Sequence, residues 1–131
     1  MMFRRWPVSL TARVTMTHTH AVSVEQTIAS YQARSRDATS RGAEAYARLL
    51  ALAEHHDSGQ IVRVVRFIAA TYNAQVFSFD LFDLRTLDVA ISDDMLLCLD
   101  ALRWGVADLY KLVPDGDARV RSLIDRRQLR A

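Results

Sequence analysis

The sequence predicts an all-α fold, a compact bundle of about five helices with a partly helical amino-terminal arm. Three observations lead there. Apolar residues recur at helical spacing along most of the chain, and no stretch sustains the apolar–polar alternation of a half-buried strand. The 131 residues hold only four Gly and two Pro to punctuate turns. On this reading residues 1–41 form a basic arm and residues 42–131 the helical domain.

The elements follow in chain order. Ser23 with Gln26 three positions on is a capping-box pattern, opening a narrow-striped helix through Val24, Ile28 and Tyr31. Residues 37–42, Asp-Ala-Thr-Ser-Arg-Gly, read as a linker. A second helix from Ala43 to about His56 aligns Tyr46, Leu49, Leu50 and Ala53. Ser58 is placed to cap the clearest amphipathic helix, with Ile61, Val64, Val65, Ile68 and Tyr72 on one face. Asp80, followed by Asp83, reads as the cap of a two-turn helix carrying Leu81, Leu84 and Leu87. The longest helix is expected to start at Ser92 or Asp93 and to run to Pro114, with Met95, Leu99, Leu102, Val106 and Leu109 inward. Asp117 then caps a final helix bearing Val120, Leu123, Ile124 and Leu129. The predicted core is Leu50, Val65, Ile68, Tyr72, Leu84, Leu99, Leu102 and Val106.

Composition excludes several classes. A chain of 131 residues with 50% apolar and 24% charged residues suits one globular domain, able to bury a core without metal or disulfide support. The single cysteine, Cys98, excludes an internal disulfide framework. No apolar run approaches the ~20 residues of a membrane span, and Pro7, Ser9, Thr11 and Arg13 interrupt any leader-like apolar segment. A cytoplasmic location without membrane contact is expected. Met16 offers a second start of translation, which would leave residues 1–15 outside the protein. The net charge of +2 is uneven. Residues 80–117 hold nine acids against Arg85, Arg103 and Lys111, whereas residues 118–131 hold five Arg against Asp125.

Between residues 45 and 97 the chain carries Asp57-Ser58-Gly59-Gln60, the run from Phe67 that ends Tyr72-Asn73-Ala74, Phe79-Asp80-Leu81-Phe82-Asp83-Leu84, Leu87-Asp88 and Asp93-Asp94-Met95-Leu96. In these it resembles an uncharacterised family of short bacterial proteins carried on plasmids and integrative elements. The resemblance implies an accessory-DNA context and assigns no activity, cofactor or catalytic residue.

Chemistry-bearing clusters are few. His55 and His56, with Glu54 and Asp57, are the one group that looks like metal ligands. Neighbouring residues on a helix point about 100° apart, so terminal capping explains the two imidazoles better than a shared ion. Cys98 falls on the inward edge of the long helix and reads as a structural thiol. No Walker loop, GxSxG, GxGxxG, CxxC or HExxH occurs, and neither catalysis nor a cofactor is expected. Leu97, Ala101 and Trp104 project opposite the predicted core stripe among acids, an arrangement that fits either a second buried face or a protein interface with an aromatic anchor. A homodimer through this face satisfies both. The leading expectation is a non-catalytic interaction or regulatory module. The alternative is nucleic-acid binding through Arg4, Arg5 and a carboxy-terminal stripe of Arg119, Arg126 and Arg130; a metal-dependent enzyme using His55 and His56 ranks third.

Overall fold

A computed structural model describes residues 23–130, and among these the chain forms four α-helices, two short 3-10 helices and no strand. The helices are α1 (Val24–His55), α2 (Gly59–Tyr72), α3 (Val89–Trp104) and α4 (Gly116–Arg127); the 3-10 segments are η1 (Leu81–Thr86) and η2 (Leu109–Leu112). The all-α expectation holds, with four long elements and two short ones. The described residues divide into two compact units, 23–34 and 35–130. None of the described helices is long and apolar enough to cross a membrane.

In the first unit the capping box forms as its sequence requires. The Ser23 hydroxyl accepts from the Gln26 N–H and the Gln26 side chain accepts from the Ser23 N–H, both at 3.0 Å. Val24, Ile28 and Tyr31 lie on exposed positions of this unit.

In the second unit the expected linker at residues 37–42 is instead an unbroken part of α1. Gly42 sits there because another backbone sits against it. A Cβ at Gly42 would collide with the Ala101 methyl and stand 3.0 Å from the Leu97 carbonyl oxygen. A glycine that reads as a break in a one-dimensional pattern is therefore a contact residue, trading about 1 kcal/mol of helix propensity for close approach of α3.

That approach fixes the rotation of α3. Its buried residues are Ile91, Met95, Cys98 and Ala101, a stripe turned roughly 55° from the predicted one at 100° per residue. Three expectations change with it. Leu99 is only half-buried, and Leu102 and Val106 are 45% and 59% exposed. The helix also starts a turn earlier than expected, at Asp88, whose carboxylate accepts from the Gln60 amide at 2.9 Å. It ends at Trp104 rather than at Pro114, because Gly105 adopts a left-handed conformation and returns its N–H to the carbonyls of Ala101 and Leu102. The longest helix is consequently α1.

The core lies where α1, α2, α3 and α4 meet. Leu50, Val65 and Ile68 are buried as predicted, while Tyr72 and Leu84 are half-buried at its edge. Sequence reading missed Tyr46, Leu49, Met95 and Leu123 as central residues of the core, although it had placed each on an inward stripe. Each such aliphatic side chain stabilises the fold by about 1.5–3 kcal/mol when fully buried. Among the described residues two buried side-chain polar atoms close no hydrogen bond, the Tyr46 hydroxyl, which lies beside Thr71, and Arg127 Nε.

Gly42→Ala is expected to destabilise the protein by about 1–3 kcal/mol despite the better helix former. Pairing it with Ala101→Gly should recover part of the loss, and a double-mutant cycle by denaturant unfolding that returned no coupling between the two positions would refute the contact.

Candidate functional site

The long groove on the second unit is built from α2, η1 and α3. α2 ends at Asn73, whose carbonyl accepts from the N–H groups of Val76 and Phe77 and so turns the chain back on itself. The returning segment is held by Phe79, whose ring meets buried Phe67 edge-on at 5.4 Å. Asp80 then opens η1 by accepting from the Phe82 N–H at 2.9 Å, as its sequence position predicts. Because α3 turns its Cys98 and Ala101 face toward α1, the Leu99 and Leu102 side chains are left for this side.

The outcome is an open apolar groove of about 300 Å³, lined by Phe67, Ala70, Phe77, Leu84, Leu99 and Leu102 among others. Leu81 of this lining is more than two-thirds exposed, as is the next residue, Phe82, and the Arg85 guanidinium lies 5.0 Å from the Phe82 ring centre. A second, more polar cavity of about 190 Å³ adjoins it and shares Phe77 and Ser78 as lining. Sequence projection missed this groove because it assigned Leu99 and Leu102 to the core.

The residues predicted as an interface occupy a different place. Ala101 is 2% exposed and packs on Gly42, Leu97 is half-buried against the core, and Trp104 is half-buried with the Arg103 guanidinium 5.7 Å from its ring centre. Ala101 thus lies on a second buried face of α3, against α1 at Gly42, and the three residues do not form an open patch.

The predicted arginine stripe is likewise engaged. Arg119 grips Glu54 through two hydrogen bonds of 2.9 and 2.8 Å and also donates to the Pro114 carbonyl. Arg126 donates to the carbonyls of Ala53 and Glu54, and Arg127 to that of His56 at 2.8 Å and to Asp57 at 3.0 Å. These carbonyls are the ones that the last turn of a helix leaves without intrahelical donors, and cations also suit the negative end of the helix dipole. α4 thereby caps α1. Arg130 lines the polar cavity instead. Arg4, Arg5, His18, His20 and the alternative start at Met16 lie outside the described residues.

His55 donates from Nδ1 to the Ala51 carbonyl at 2.8 Å, a helix-end bond of the kind expected, and His56 supplies a carbonyl to Arg127. Among the described residues no three His, Cys, Asp or Glu side chains converge to hold a metal ion. Cys98 is fully buried, 3.8 Å from the Gly42 carbonyl oxygen, and burial pushes its thiol up to about 12. Tyr72 donates to Asp117 at 2.6 Å, and that bond raises the Tyr72 pKa and lowers that of Asp117.

Two outcomes follow. The Glu54 carboxyl is held below its ordinary value, chiefly by hydrogen bonding to Arg119. A depressed carboxylate contributes stability that is present above its unfolded pKa and lost as pH falls through the folded one. Arg119→Ala should therefore cost about 1–2 kcal/mol near pH 7, with the gap to wild type closing below about pH 4; a gap independent of pH in thermal melts would contradict the pairing. Cys98 should resist a thiol-specific reagent at pH 8 in native buffer and react fully in denaturant, and rapid native labelling would show that α3 is packed differently.

No curated protein and no solved structure matches the chain. A family model does match residues 43–128, which reach from the middle of α1 to the end of α4 and include the whole groove, both of its α-helices and the arginine cap. The chain belongs to that family, a family of unknown function (DUF7673).

Proposed function

We propose that the protein is a non-catalytic interaction module that receives an apolar element of a protein partner in the groove between α2, η1 and α3. The observation that carries this reading is the groove itself: about 300 Å³ lined mainly by Phe, Leu and Ala side chains, with Leu81 and Leu102 of that lining left in water. Burying one such side chain against a partner contributes roughly 1.5–3 kcal/mol, enough for a few anchors to support association. The contact moves from Leu97, Ala101 and Trp104 to this groove because Ala101 is buried against α1 and Leu97 and Trp104 are half-buried. Resemblance to short bacterial proteins of plasmids and integrative elements supports a cytoplasmic accessory or regulatory role in the biology of mobile DNA. Nucleic-acid binding loses support from Arg119 and Arg126, since both are committed to the end of α1.

Affinity capture from nuclease-treated bacterial lysate tests the reading with wild type, Leu102→Glu and Val89→Glu. Val89 is exposed and lies outside the groove lining, so it controls for added surface charge. A protein partner should survive nuclease, persist with Val89→Glu and fall at least tenfold with Leu102→Glu. Partners that vanish on nuclease treatment, or that ignore Leu102→Glu, would defeat it.

A further inference from the structure

The groove is polarised, and its polarity describes the partner. At one end the apolar lining passes, through the shared Phe77 and Ser78, into the smaller cavity bordered by Arg66, Asp80, Asp83 and Arg130. The two carboxylates there already have work within the chain. Asp80 accepts from the Phe82 N–H, and Asp83 lies 3.8 Å from the Arg63 guanidinium. Arg66 and Arg130, in contrast, make no hydrogen bond or ion pair among the described residues. Counting Arg63, this corner holds three guanidiniums against two carboxylates, a net excess of one positive charge, and the two guanidiniums without an ion pair, Arg66 and Arg130, come from α2 and from the residues after α4.

From this charge pattern we infer that the groove is a receptor for an apolar–acidic peptide segment, and this rests on the interaction-module reading above. Bulky side chains of the segment lie along Leu84, Leu99 and Leu102. A carboxylate following them meets Arg66 and Arg130, whose combined positive charge exceeds the negative charge of neighbouring Asp80. Planar guanidiniums suit carboxylates because they donate two parallel N–H groups to them, and the neighbouring aromatic wall lowers the local dielectric that water would otherwise supply. A basic segment would place like charges against Arg66 and leave both guanidiniums unmatched, so charge discriminates between partners more than it adds affinity.

Three synthetic peptides decide the matter: acetyl-Leu-Phe-Leu-Glu-Glu-amide, its Lys-Lys counterpart, and acetyl-Ala-Ala-Ala-Glu-Glu-amide. The readout is titration of the nitrogen-15-labelled full chain, following the backbone amides of Ser78, Leu99 and Leu102. The apolar–acidic peptide should shift these amides with an affinity about fivefold or more above the apolar–basic one, as two partly exposed ion pairs allow. The all-alanine peptide should be weaker than both. Arg66→Glu should invert the preference while leaving the melting temperature unchanged, and Leu102→Glu should abolish the shifts. Equal binding of the two apolar peptides overturns the charge polarity but leaves the interaction module standing. If no peptide moves the groove amides, both fall. Concentration-dependent shifts of the same amides without peptide would make a second copy of the chain the occupant and overturn the inference as well.

Discussion

The second unit is organised around one close contact, the approach of the α3 backbone to α1 at Gly42. Small residues on both sides, Gly42 and Ala101, let two helices come nearer than leucine-lined faces permit, and the gain is packing of many atoms at contact distance. Once that distance is set, the rotation of α3 is no longer free. Cys98 and Met95 must point inward, Ala101 must lie against α1, and Leu99 and Leu102 must face the other way. The groove is thus the complement of the Gly42 contact rather than a separate feature of the sequence.

Legibility in the sequence followed the strength of local signals. The all-helical class, the Ser23 capping box, the α2 stripe and the Asp80 cap of η1 were readable, because each depends on residues within a turn or two of one another. The rotation of α3 was not. Its sequence is apolar on most sides, with Met95, Leu96, Leu97, Cys98 and Leu99 in succession, so periodicity ranks several faces almost equally. The deciding residue, Gly42, lies 59 positions before Ala101 and looks like a break. The candidate site inherited that error: the predicted patch was buried or half-buried, and the open groove was read as core.

The arginine-rich carboxy terminus shows how composition misleads in the opposite direction. Five Arg in fourteen residues suggest a surface for phosphates, yet three of them are directed to the final turn of α1. Guanidinium suits that task, since its several donors can satisfy more than one carbonyl and a carboxylate together. What remains outward is Arg121, paired with Asp117, and Arg130 at the polar cavity.

The arginine cap also constrains when the fold can be completed. The carbonyls of Ala53, Glu54 and His56 wait for donors that arrive 71 to 73 positions later in the chain. During synthesis, α1, α2 and α3 emerge before their final partner exists, and Val120 and Leu123 are still missing from the core. A ribosome-bound chain is therefore unable to complete this core until α4 is free. Non-local closure of this kind sets a slower folding rate than helix content alone would suggest, and it ties the finished core to the emergence of α4.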